Sequence, residues 1–194
     1  MELSLIFEWA LVVAFLLALT YVAIVIKNEN AAYHESAVDY EFANYRLYIP
    51  SWWRRDSPEN LNQNQLQFSR HDTNYDWYAR FEYFPEDSSR GPREIAQDFF
   101  SLHKWELDPD KTETVSVSEN FFQESKTWER VEEFYRVEST ATEDCEHRLY
   151  VDFVCLKDLM RPGYFVAYSK ASVLNGGVEG PYFQELMENL EIID

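Results

Sequence analysis

The chain is poor in cations. It carries 17 Lys plus Arg against 35 Asp plus Glu, a formal net charge of -18. Binding a phosphate backbone needs clustered cations, so this balance argues against nucleic acid as a ligand. It permits a basic protein partner or a divalent cation, and it keeps a domain soluble. The signatures of common chemistry are also missing: there is no GxSxG, P-loop, GxGxxG, HExxH or CxxC. No internal repeat or low-complexity segment is visible.

Cysteine is scarce, with two residues in 194. Cys145 and Cys155 bracket EHRLYVDFV, which alternates as a strand. Ten residues of strand span roughly 33 Å, whereas a disulfide needs Cα atoms within about 7 Å. The two therefore pair only if the strand bends. Free thiols fit a reducing compartment.

Two short constellations resemble metal ligands, and both are weighed against a plain polar turn. Cys145 and His147 lie two apart beside three acids, but two ligands are too few for a closed site. His71, Asp72, Asn74 and Asp76 partly follow a calcium-loop spacing, without the required Gly and distal Glu. No acid pair among the 35 acids is singled out as a general acid and base. No catalytic residue, metal or cofactor is assigned, and the chain reads as non-enzymatic.

What is present is apolar and aromatic. Hydrophobic residues make up 46% and aromatics 17%, enough for a packed core. Residues 3–26 read LSLIFEWALVVAFLLALTYVAIVI, with no charge between Trp9 and Lys27. About 20 apolar residues span a bilayer as a helix. Trp9 and Tyr21 suit the two interfaces, Lys27 ends the run, and Ala10, Ala14 and Ala18 form a small-residue face for a partner helix. The first residues, MELS, hold no cation, and no small-x-small pair closes the run, so an uncleaved anchor is expected rather than a signal peptide. Residues 28–45 contain no Lys or Arg, which suits a translocated segment. The expected location is the inner cell membrane, single-pass, with the domain on the periplasmic side, though Lys27 and the cysteines favour the cytoplasmic side. The expected division is an anchor over 1–27, a polar linker over 28–39 and a domain over 40–194.

Within that domain, YEFANYRLYIP reads as one strand stopped by Pro50, LQFSR as a second, and WYARFEYF as a third with Trp77, Ala79, Phe81 and Tyr83 on one face. Pro92 starts a helix carrying Ile95, Ala96, Phe99, Phe100 and His103. A short strand over 114–118, a long one over 126–139, the turn TATED and the strand to Cys155 follow. GYFVAYSKASV reads as a central strand, NGGVEGP as a loop, and PYFQELMENLEII as a closing helix with Phe183, Leu186, Met187 and Leu190 inward. This order predicts an α+β fold: an antiparallel sheet sandwiched with two main helices, preceded by one transmembrane helix.

The strand into Pro and Trp (YRLYIPSWW), the helix IAQDFFSLH, the strand GYFVAYSKASV and the ending PYFQELMENLEII resemble the PsbP-like superfamily over roughly residues 40–193. That superfamily includes PsbP proteins, Ran-binding Mog proteins, DcrB lipoproteins and Eag chaperones. The resemblance implies that one of Trp52 and Trp53 packs over the sheet end. It makes Trp52, Trp53, Arg54 and Arg55 the candidate partner-binding surface, since Trp and Arg are frequent interface anchors. The function it implies is a membrane-anchored binding module, an accessory or assembly subunit on a larger membrane complex. The alternatives are a chaperone or immunity protein of a type VI-like secretion system, and an enzyme with an unrecognised metal-dependent site.

Overall fold

A computed structural model describes residues 2–57, 59, 61–70, 77–85, 89–122, 126–144 and 147–193. The chain separates into two compact units, Met1–Ala37 and Val38–Asp194.

The first unit is one helix, α1 (Glu2–Ser36). It continues through residues 28–36, where the sequence reads as a polar linker. Ala31, Ala32 and Glu35 are good helix formers and nothing there breaks a helix. The stretch Phe7–Val25 is long and apolar enough to cross a membrane. Its large apolar side chains, Trp9 and Tyr21 among them, are exposed.

The second unit opens with a hairpin, β1 (Val38–Phe42) and β2 (Tyr45–Ile49), where a single strand was expected. Phe42 pairs with Tyr45, and the two residues between them, Ala43 and Asn44, have φ of 50° and 69°. Positive φ at both central positions is the signature of a type I′ turn. Asn tolerates that conformation; Ala gives no warning of it.

The remaining strands are β3 (Arg54–Arg55), β4 (Gln65–Ser69), β5 (Tyr78–Phe84), β6 (Trp105–Leu107), β7 (Glu113–Val115), β8 (Val131–Glu143), β9 (His147–Asp158), β10 (Tyr164–Ser172) and β11 (Glu191–Ile192). Eight of them form one antiparallel sheet in the order β3-β4-β5-β10-β9-β8-β6, with β7 also on β8. β10 is central, as its apolar run predicts. β1, β2 and β11 form a small second sheet. The expected turn TATED is mostly strand: β8 runs to Glu143 because Trp105 and Glu106 of β6 pair with Glu143 and Thr142. Only Asp144, at φ 51°, begins the reversal within the described residues. Residues 126–130 form a 3-10 turn rather than strand.

Strand alternation sends successive side chains to opposite faces. On one face Val151, Phe153 and Cys155 of β9 meet α2 (Pro92–His103), through Ile95, Ala96 and Phe100. On the other face lies α3 (Val173–Glu188), packed by Phe183, Leu186 and Met187, all fully buried. Each such side chain contributes roughly 1.5–3 kcal/mol. One helix therefore covers each face of the large sheet, with the small sheet beside α3 through Tyr45 on Phe165, ring centres 4.3 Å apart.

NGGVEGP is not a loop. It lies inside α3, with Pro181 in the helix interior. Gly176 and Gly180 serve packing. A Cβ on Gly176 would lie 2.3 Å from Tyr150 Cγ, and one on Gly180 would lie 2.9 Å from the Tyr150 hydroxyl. The helix rests directly on that tyrosine, so tertiary contact overrides poor helix propensity.

Candidate functional site: the tryptophan corner

The corner begins where Pro50 ends β2. A tight turn follows, closed by the Trp53 N–H donating to the Pro50 carbonyl at 3.0 Å. Trp53 is buried and lies on Trp77 with ring centres 4.2 Å apart. Trp52 is half-buried and meets the Tyr182 ring edge-on at 5.1 Å. The expectation of one core tryptophan is met by Trp53.

Both indoles point at Glu179 on α3. Trp53 Nε1 donates to Glu179 Oε2 at 2.8 Å, and Trp52 Nε1 lies 3.4 Å from the same oxygen. The Arg70 guanidinium, at the end of β4, pairs with Glu179 Oε1. Glu179 is fully buried. A lone buried carboxylate is costly, and this one persists because a cation and two N–H donors converge on it. Three distant segments, 52–53, 70 and 179–182, are tied at one point. The Trp77 indole N–H has no hydrogen-bond partner among the described residues.

Arg54 and Arg55 follow directly and form β3, paired with Ser69 and Phe68 of β4. Both are exposed, and neither joins an ion pair among the described residues. So the turn sorts the four candidates: Trp53 lies beneath and positions, while Trp52, Arg54 and Arg55 face outward to different degrees.

Two other clusters are structural in character. Between α3 and the sheet, Arg136 donates to both oxygens of Asp152 at 3.0 and 2.7 Å and to Glu138 at 2.9 Å. The Tyr150 hydroxyl donates to Glu138 at 2.7 Å. Burial pushes the Tyr150 phenol well up and the Asp152 carboxyl up, with Arg136 opposing the latter. At the end of α2, the His103 ring lies tilted against Phe99 at 4.3 Å and Trp105 at 5.0 Å. Burial holds the imidazole below its ordinary range, with Arg80 and Lys170 adding to the effect. Cys155 is free and fully buried, and burial pushes its thiol up, away from nucleophilic use. A cleft of about 640 Å³ runs past Asn62, Gln65 and Glu82 over the stacked Phe84 and Tyr164 rings.

Among the described residues no group of three or more His, Cys, Asp or Glu is arranged to hold a metal. His147 is exposed at the start of β9, while Cys145 and the whole 71–76 stretch lie outside the described residues. In the other unit, Ala10, Ala14, Ala18 and Lys27 are exposed along α1 with Trp9 and Tyr21.

Sequence reasoning missed Glu179, Arg70 and Tyr182. Their only signal is the helical spacing of Glu179 and Tyr182, three apart, which a glycine-rich reading hides.

No protein-family model matches the chain, and no curated protein matches it by sequence. The architecture does match. The Ran-binding protein Mog1p of Saccharomyces cerevisiae superposes at TM-score 0.50 with 10% identity, over 82% of this chain and 97% of its own. A Mog1 mutant gives 0.52 with 10% identity over the same shares of the two chains. The cyanobacterial PsbP (CyanoP) of Synechocystis gives 0.53 with 9% identity, over 81% of this chain and 92% of its own. The fold is PsbP/Mog1-like. At such identity the likeness carries the PsbP/Mog1-like architecture and nothing finer.

Proposed function

We propose that this chain is a single-pass membrane protein whose PsbP/Mog1-like domain is a non-enzymatic binding module, docking as an accessory or assembly subunit onto a larger membrane protein complex. The observation that carries this reading is the pair Arg54 and Arg55. Two exposed guanidiniums without ion pairs among the described residues, beside a half-buried Trp52, stand out on a chain of net charge -18. Arg and Trp are the residues that anchor interfaces. The same fold occurs in the Ran-binding protein Mog1p, so a binding role is consistent with it. Phe7–Val25 supplies the anchor, with Trp9, Tyr21 and Lys27 placed for the interfaces and Ala10, Ala14 and Ala18 for a neighbouring helix.

In this reading the domain sits on the periplasmic side, supported by the absence of Lys and Arg over 28–45. The test has two arms. A reporter fused after residue 194 that works only outside the cytoplasm is expected to be active, and its cytoplasm-only counterpart silent. Crosslinking from position 52 in solubilised membranes is expected to trap a membrane protein complex, lost with Arg54→Glu/Arg55→Glu. Recovery of the chain alone from its native membrane would end the docking reading.

A further inference from the structure

β3 is the first strand of the large sheet, and among the described residues no strand is hydrogen-bonded to its far side. Its hydrogen-bond phase can be read from the next residue. The Asp56 N–H donates to the Gln67 carbonyl at 3.0 Å, which places Asp56, and by alternation Arg54, in the pairs bonded to β4. The N–H and C=O of Arg55 then point to the open edge. Arg55 has no hydrogen bond or ion pair to another described residue that would occupy it.

The two arginines also lie on opposite faces. Arg55 is level with Phe68, whose ring packs on Phe81 on the α3 side, and Arg54 is level with Ser69 on the other side. An extended peptide likewise turns consecutive side chains to opposite faces. Two adjacent carboxylates on such a peptide would meet one guanidinium each, while its backbone meets that of Arg55.

We infer that the free edge of β3 receives an extended, acidic segment of a protein partner as an added strand, with Arg54 and Arg55 each gripping one of two adjacent acidic residues. This rests on the reading of the domain as a docking module and names the partner's chemistry. Main-chain bonding supplies attachment in such strand addition, and side chains supply selection. A lipid surface fits less well. The Trp52 ring is engaged by Tyr182 and its indole by Glu179, so it is not free to enter an interface. The chain as a whole, at -18, is repelled by anionic headgroups. Two adjacent exposed cations on an acidic chain suit a short acidic strand rather than an extended anionic surface.

The experiment uses the full chain in detergent micelles and a fluorescent synthetic peptide, Thr/Val-rich, with a central Asp-Glu. Binding is expected for this peptide and not for its Lys-Lys counterpart. Arg54→Glu/Arg55→Glu is expected to weaken it by at least about tenfold, which is what loss of two exposed charge pairs and their reversal implies. Methylating alternate peptide nitrogens is expected to abolish binding. Arg55→Pro removes the outward N–H together with the guanidinium, so it should weaken binding beyond Arg55→Ala, which removes the guanidinium alone, while leaving the fold intact. Equal binding of the methylated peptide would mean charge alone acts and would overturn the added strand. So would arginine variants that merely self-associate while binding the peptide normally, since the arginines would then be edge guards. Anionic phosphatidylglycerol vesicles that bind the wild type, with no peptide binding, would overturn it in favour of lipid. A native complex that survives the β3 variants would sink this inference and leave the docking function standing; absence of any native complex would sink the function instead.

Discussion

Glu179 is the single side chain on which the corner depends, and Glu179→Ala measures that dependence. The carboxylate is fully buried, while the side chain of its partner Arg70 is 16% exposed. Removing one member of a buried ion pair costs about 3–5 kcal/mol, because the other charge loses its buried counter-ion. The Trp53 indole N–H, now bonded at 2.8 Å, loses its acceptor too. Native domains hold only about 5–15 kcal/mol in total. For a unit of this size each kcal/mol moves Tm by roughly 2–4 °C, so the variant should melt roughly 6–20 °C lower. The assay is a thermal melt of the full chain followed by near-UV circular dichroism, which reports the asymmetric packing of Trp53 on Trp77. Arg70→Ala and the double variant complete a cycle, and the two losses should fall short of additive by about 0.5–3 kcal/mol. A shift below about 2 °C for Glu179→Ala, or strictly additive losses, would show that the carboxylate does not hold the corner and would refute the argument.

Three further outcomes are expected. Gly176→Ala should destabilise by about 1–3 kcal/mol in urea, because its Cβ would overlap Tyr150; Gly177→Ala, with nothing within 4 Å of its Cβ, should stabilise by up to about 1 kcal/mol, and equal effects at the two sites would contradict the packing role. His103 has its pKa lowered by burial first and then by Arg80 and Lys170. The unfolded chain therefore binds a proton at His103 before the folded chain does, so this residue's contribution is intact above about pH 6.5 and erodes as pH falls below it; His103→Phe should flatten the difference in Tm between pH 7.5 and pH 5, and an unchanged difference would rule the histidine out. With Cys145→Ser in place, Cys155 should resist maleimide until the protein is unfolded, and rapid labelling of native protein would be inconsistent with its complete burial.

The sheet was legible where the sequence alternates without interruption. Trp77, Ala79 and Phe81 announced β5, the apolar run 163–173 announced the central β10, and Pro92 with Ile95, Ala96 and Phe100 announced α2. The failures lie where tertiary contacts override local chemistry. Ala43 carries no turn signal, so the hairpin looked like one strand. Gly176, Gly177, Gly180 and Pro181 are poor helix formers, and it is the Tyr150 ring on β9, packed against Gly176 and Gly180, that accounts for a helix there. The site was half visible. Trp52 to Arg55 stand together in the chain, but Glu179 falls in NGGVEGP, which reads as a loop, and only α3 brings it to both indoles.

The position of β10 has a consequence for how the protein comes into being. β5 spans residues 78–84, yet its partner in the centre of the sheet is residues 164–170. β2 likewise closes against residues 191–192 at the other end of the domain. A chain emerging from a ribosome or through a membrane pore must hold β4 and β5 unfinished until most of its length has followed. Long-range pairing of this kind is slow, on the order of milliseconds to seconds, and through that interval the apolar side of β5 has no strand at its shoulder. Biogenesis, more than final stability, is where this architecture exposes the protein to aggregation or to a chaperone.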